Sequence, residues 1–186
     1  MVSIEERVSN WIKKGDETTV LNVSGYIISE LRKLPPNLQK LNISHCMFLR
    51  EIHELPPNLQ ELNCSYCPNL KELPKLPPNL QKLICMYCSN LEKLPKLPPN
   101  LRVLNCSGCP IVSLPELPES LQKLICIICP IGFLPKLPLN LEVLFCAACP
   151  GLRGLPPELP PNLRELNCSA CPIKQLPSIL PAKVSL

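Results

Sequence analysis

Apolar residues recur along the chain with two superimposed spacings. The short one is visible in Leu59-Gln-Glu-Leu62-Asn-Cys64-Ser-Tyr-Cys67-Pro-Asn-Leu70, where Leu62 and Cys64 alternate with Glu61, Asn63 and Ser65. A period of two marks a strand with one buried face. The long spacing is the restart of that unit at Leu38, Leu59, Leu80, Leu101, Leu121, Leu141 and Leu163, in steps of 21, 21, 21, 20, 20 and 22 residues. A degenerate copy with Leu21, Val23, Tyr26 and Ile28 begins near Thr18. Near-identical strands at a fixed interval bury their apolar faces by stacking side by side and parallel, one strand per coil. Residues 18–182 thus hold about eight coils, and a strand spacing of about 4.8 Å gives an array roughly 35–40 Å long.

The return path, as in Leu73-Pro74-Lys75-Leu76-Pro77-Pro78-Asn79, is too short and too rich in proline for a helix. It is predicted to run extended, in a polyproline-II-like conformation, on the convex side. A thin convex layer opposite a wider strand layer curves the array. Residues 1–17 predict an N-terminal capping helix: Ser3-x-x-Glu6 is a capping box, Ile4, Val8, Trp11 and Ile12 share one face, and Lys13, Lys14 and Gly15 end it. Residues 183–186 are left as a C-terminal tail. The last coil is expected to be closed by that tail or by a second chain.

The unit L-x-x-L-x-C-x-x-C-x-x-L, entered through Leu76-Pro77-Pro78-Asn79-Leu80 or Leu97-Pro98-Pro99-Asn100-Leu101, resembles the short leucine-rich repeats of secreted bacterial effector proteins. It is also similar to short repeats in large DNA viruses. The resemblance implies an α/β repeat solenoid: a curved leucine-rich-repeat array with a parallel concave sheet, an extended convex side and an N-terminal cap. One departure stands out. The ninth position, asparagine in that family, is Cys46, Cys67, Cys88, Cys109, Cys129, Cys149 and Cys171 here, as in the cysteine-containing class of F-box-associated repeats. The resemblance then implies that thiols replace a buried asparagine ladder, with weaker hydrogen bonds to the loop backbone. Some effectors of this kind carry a C-terminal ubiquitin-ligase domain with a catalytic cysteine. The sequence reaches Leu186 a few residues after its last repeat, so that activity is not carried over.

Composition refines the picture. The 25 prolines are those of the return paths, and the 46% apolar share is too large for a disordered chain. The 19 basic and 15 acidic residues are interspersed, which argues against nucleic-acid and membrane-surface binding. Nothing resembles a signal peptide or approaches the roughly 20 apolar residues of a membrane span. An odd count of 13 cysteines reads as reduced thiols in a cytoplasmic compartment, the host cytosol for an effector or viral product.

Six C-x-x-C pairs, 64/67, 85/88, 106/109, 126/129, 146/149 and 168/171, have the spacing of a four-thiolate zinc site. The interval between pairs equals one coil, however, and the first column reads Val23, Ile43, Cys64, Cys85, Cys106, Cys126, Cys146, Cys168. Apolar residues share its register, so these thiols are expected in the core, with no metal and no cofactor. A Cys-rich metal-binding protein remains the lesser alternative. His45 and His53 read as surface histidines. No phosphate-binding glycine loop, carboxylate pair or Cys–His arrangement suggests an enzyme.

Function on such a scaffold is expected on outward strand positions. The fifth and seventh positions are Asn and Ser in most coils, but the middle coils substitute Ile84, Met86, Ile125, Ile127 and Phe145. With Tyr87, Ile128 and Val143 these form the predicted partner-binding surface, since contiguous exposed apolar residues mark recognition sites. The leading reading is a non-enzymatic module binding a protein partner on its concave face. The alternative is a self-associating structural protein, joined through the C-terminal coil or the same patch.

Overall fold

The computed structural model describes residues 20–178, 180 and 183–185; the predicted N-terminal cap lies outside them. Nine short strands form one parallel sheet: β1 (Val20–Asn22), β3 (Lys40–Asn42), β5 (Glu61–Asn63), β6 (Lys82–Ile84), β7 (Val103–Asn105), β8 (Lys123–Ile125), β9 (Val143–Phe145), β10 (Glu165–Asn167) and β11 (Lys183–Ser185). Two further strands, β2 (Glu30–Leu31) and β4 (Glu51–Ile52), pair with each other on the return path. Sequence periodicity gave no sign of this second sheet. No helix occurs among the described residues. Residues 183–185, read from sequence as a tail, lie beside β10 as the last strand of the main sheet.

Strand register follows the repeat. Leu21, Leu41, Leu62, Leu83, Leu104, Leu124, Leu144 and Leu166 are directly opposite one another in successive strands, and Val184 follows. All eight leucines are buried; a fully buried leucine stabilises by roughly 1.5–3 kcal/mol. The sixth-position column and the leucines of the return path complete a core that runs the length of the array.

The segment before each strand is a tight turn. The Leu80 N–H donates to the Pro77 carbonyl at 3.1 Å, and Leu38, Leu59, Leu101, Leu121, Leu141 and Leu163 repeat the bond to Pro35, Pro56, Pro98, Pro118, Pro138 and Pro160. In Pro77-Pro78-Asn79-Leu80 the second proline has its φ preset for the turn. The asparagine that follows links coils: Asn79 Nδ2 donates to the Pro57 carbonyl at 3.4 Å, Asn100 to Pro78 at 3.0 Å and Asn162 to Leu139 at 3.1 Å. An asparagine row therefore exists, at the exposed turn. The prolines lie where no strand ladder needs an N–H, and so the fold tolerates them.

Candidate functional site

Twelve of the 13 thiols are buried and Cys171 is half-buried. The second column forms a continuous ladder. Cys46 Sγ donates to the Val23 carbonyl at 3.3 Å, Cys67 to Ile43 at 3.2 Å, Cys88 to Cys64 at 3.1 Å and Cys109 to Cys85 at 2.9 Å. Cys129, Cys149 and Cys171 continue it to Cys106, Cys126 and Cys146 at 3.3, 3.1 and 3.0 Å. Each thiol thus satisfies an inward-facing carbonyl of the preceding coil, a duty that matters because an unpaired buried carbonyl is costly. Burial pushes the Cys46 thiol up to about 11 and Cys67 up to about 12, the direction that disfavours a reactive thiolate, whereas hydrogen bonds with neighbouring thiols lower Cys88, Cys129 and Cys149. Among the described residues, no three His, Cys, Asp or Glu side chains converge as a metal-ligand set.

The predicted partner-binding residues lie on the outward side of the sheet or at its edge. Ile84, Met86, Ile125, Ile127, Val143 and Phe145 are half-buried, and Tyr87 and Ile128 are exposed. They fall into two groups. Ile125, Ile127, Ile128, Val143 and Phe145 occupy the adjacent β8 and β9 coils. Ile84, Met86 and Tyr87 belong to the β6 coil, and the polar β7 coil with Asn105 and Ser107 lies between. The β7 coil is coupled to its neighbours: Asn105 Nδ2 donates to Met86 Sδ at 3.1 Å, and Ser107 Oγ accepts the Ile127 N–H at 3.2 Å.

The Asn–Ser pair has a local duty. Asn63 Oδ1 accepts the Ser65 N–H at 3.1 Å and its hydroxyl at 2.8 Å, and Asn105–Ser107 and Asn167–Ser169 do the same. This side-chain turn ends each strand. Coils with Ile84, Ile125 or Phe145 in place of asparagine give up the brace, which makes the substitution costly unless the apolar side chain has another use.

Sequence reasoning missed the geometry of the eighth position. Its φ is left-handed in Gly25 (74°), His45 (58°), Tyr66 (57°), Tyr87 (53°), Gly108 (70°), Ile128 (58°), Ala148 (51°) and Ala170 (56°). Only two of these are glycine, so the usual signal for that conformation was hidden. A side chain there costs about 1–2 kcal/mol, and β-branched isoleucine is the least suited of all.

The same column holds an aromatic stack that sequence reading also overlooked. His45 lies on Tyr66 with ring centroids 4.5 Å apart and planes 8° from parallel, and Tyr66 lies on Tyr87 at 5.1 Å and 19°. His45 is thus more than a lone surface histidine, whereas His53 sits on the return path beside Glu30 and Glu51. The Tyr87 ring rests on Gly108, where an added Cβ would stand 2.6 Å from Tyr87 Cε1. Three consecutive aromatic residues followed by glycine, at intervals of one coil, were the available sequence signal.

Charge is distributed unevenly over the sheet. Near its ends carboxylates are paired, Glu61 with Lys40 at 2.6 Å and Glu165 with Lys183 at 3.3 Å. In the middle, residues 80–88, 101–109 and 121–129 contain Lys82, Arg102 and Lys123 and no acid. None of these three cations has a carboxylate partner among the described residues; Lys123 Nζ instead lies 5.9 Å from the Phe145 ring centroid.

Comparison with known proteins agrees with this geometry. The family model described as Leucine Rich Repeat matches residues 37–57, 58–83 and 100–124. YopM from Yersinia enterocolitica WA-314 superposes with a TM-score of 0.79 at 40% identity over 86% of the chain. The fold is a leucine-rich-repeat solenoid similar to those of bacterial effector proteins. The chain spans 35% of the length of that YopM chain. A Shigella effector LRR domain gives a TM-score of 0.69 at 27% identity, covering 91% of this chain and 76% of its own. YopM from Yersinia pestis gives 0.67 at 26%, covering 96% and 62%. A search of curated protein sequences found no match.

Proposed function

We propose that this leucine-rich-repeat protein is a non-enzymatic interaction module that binds a partner protein on its concave face, centred on the β6, β8 and β9 coils. The observation that carries the reading is Ile128. Its backbone is left-handed, at φ 58°, and 53% of its surface is exposed, so burial does little to offset the strain. The left-handed φ belongs to the eighth position of all eight coils; what sets Ile128 apart is a β-branched side chain, the kind least suited to it, left exposed where it can meet a partner. Ile125, Ile127, Val143 and Phe145 around it extend the apolar surface. The role requires no covalent chemistry.

The thiol ladder favours a reducing compartment such as a host cytosol, because each rung needs its S–H proton. The test of binding is partner capture from the native host cell by the wild type and by the double variant Ile125→Asp, Phe145→Asp. Both side chains are half-exposed, so the far-ultraviolet circular dichroism should be unchanged while capture is lost. Capture that survives the double substitution overturns the concave assignment. A second reading, self-association, is favoured by the apolar side chains of the adjacent β8 and β9 coils, which a second copy could cover. Light scattering that gives a monomer mass at every concentration removes it.

A further inference from the structure

We infer that the concave face takes an acidic amphipathic helix laid across the strands, an inference that rests on the interaction reading above. The apolar coils set the spacing. Measured from the β6 coil, the rows lie one, two and three strand steps away, at about 4.8, 9.6 and 14.4 Å. In the fifth-position row these steps read Ile84, Asn105, Ile125, Phe145.

A helix rises about 1.5 Å per residue, so residues i, i+3, i+7 and i+10 on one face stand at roughly 0, 4.5, 10.5 and 15 Å. One helical residue therefore meets each coil, in the order apolar, polar, apolar, apolar. An extended segment fits less well. Its same-face side chains recur about every 6.8 Å, which puts one of them between Asn105 and Ile125.

Charge selects the sign of the partner. Lys82, Arg102 and Lys123 flank the apolar row on one side, on coils that contain no acid between residues 80–88, 101–109 and 121–129. On the adjacent β5, Glu61 lies opposite Lys82 but is already paired with Lys40, and on β10 Glu165 is paired with Lys183. The β9 coil carries Glu142, so the helix needs its acids only over the first three coils. A helix with glutamates along the flank that faces the three cations completes the face, and its i+3 residue meets the Asn105 amide.

The probe is a fluorescein-labelled 18-residue synthetic helix with leucines at i, i+7 and i+10, glutamine at i+3 and glutamates on one flank. Binding to the full chain is read by anisotropy. We expect saturable binding that weakens at least tenfold when the glutamates become lysines. The triple variant Lys82→Glu, Arg102→Glu, Lys123→Glu should reverse that preference. A central proline in the peptide should abolish binding. Equal binding of the acidic and basic peptides, or of the proline peptide, overturns the inference. Absence of peptide binding while capture of a host protein remains sensitive to Ile125→Asp overturns it too, and leaves the interaction reading standing. Loss of both removes the two together.

Discussion

Raising the pH tests the thiol core directly. A cysteine in an unfolded chain titrates near 8.5. In the folded protein, burial holds Cys46 at about 11 and Cys67 at about 12 and also raises Cys146. Cys64, Cys106 and Cys126 are raised by hydrogen bonds with Cys88, Cys129 and Cys149 and by burial. Cys88, however, is lowered by Cys109 and Cys64, Cys129 by Cys106 and Cys149 by Cys126, so these pairs offset one another. Cys46, Cys67 and Cys146 carry the effect, each with 0% exposure. Because each folded pKa lies above its unfolded value, the contribution is complete below about pH 8.5. It is lost as the pH climbs toward 11–12, where the unfolded chain releases protons that the folded chain keeps. The slope is about 1.4 kcal/mol per thiol per pH unit. At pH 9.5 the three together remove about 4 kcal/mol, against a typical total of about 5–15 kcal/mol.

The expected outcome is cooperative unfolding between about pH 9.5 and 11, with a slope near three protons. Ellipticity near 218 nm under reducing conditions measures it. Cys146→Val places in the first column the kind of residue that Val23 and Ile43 already supply there. That variant should unfold at higher pH and lose about one proton from the slope. Wild-type ellipticity that stays flat to about pH 11, or a variant transition that superimposes on the wild type, refutes the reasoning.

Three other outcomes follow from the turns and the ladder. Ala148→Gly should raise stability by about 1 kcal/mol, since φ is 51° and a Cβ in that region is strained; a rise of a few degrees in Tm checks it. Gly108→Ala should lower stability by about 1–2 kcal/mol through φ of 70° and the collision with Tyr87, and Tyr87→Ala in the same chain should recover the steric part in a double-mutant cycle. Cys109→Ala removes the 2.9 Å donor to the buried Cys85 carbonyl and should cost about 1–3 kcal/mol in urea titration.

Most of the architecture was legible because each coil carries its own period-two signal and its neighbours confirm the register. Leu62 predicted Leu83, and the strands fall where the alternation placed them. The inward columns were legible for the same reason, since Val23 and Ile43 share the register of Cys64. The convex side was less so. β2 and β4 pair through Glu30 and Leu31 opposite Glu51 and Ile52, two residues each, too short for any periodicity to register.

At the candidate site, Ile125 and Phe145 stood out because they break an Asn column. The division of the apolar surface by Asn105 needed the strand order laid out in space. The left-handed turn was illegible because tyrosine, alanine and isoleucine occupy positions where glycine is the recognised sign. The stacked rings were hidden by sequence distance, Tyr66 and Tyr87 being one full coil apart.

The cysteine ladder has a direction, the same one as the asparagine row at the turns, since each thiol and each amide donates to the coil before it. Each coil from that of Cys46 to that of Cys171 presents a sulfhydryl to a carbonyl of its predecessor, so one module can be inserted or excised within that run without stranding either group. Arrays of different length are then equally well bonded inside. A change in coil number would alter how far the concave surface reaches while leaving each junction chemically the same, which makes extent of contact the property most free to vary.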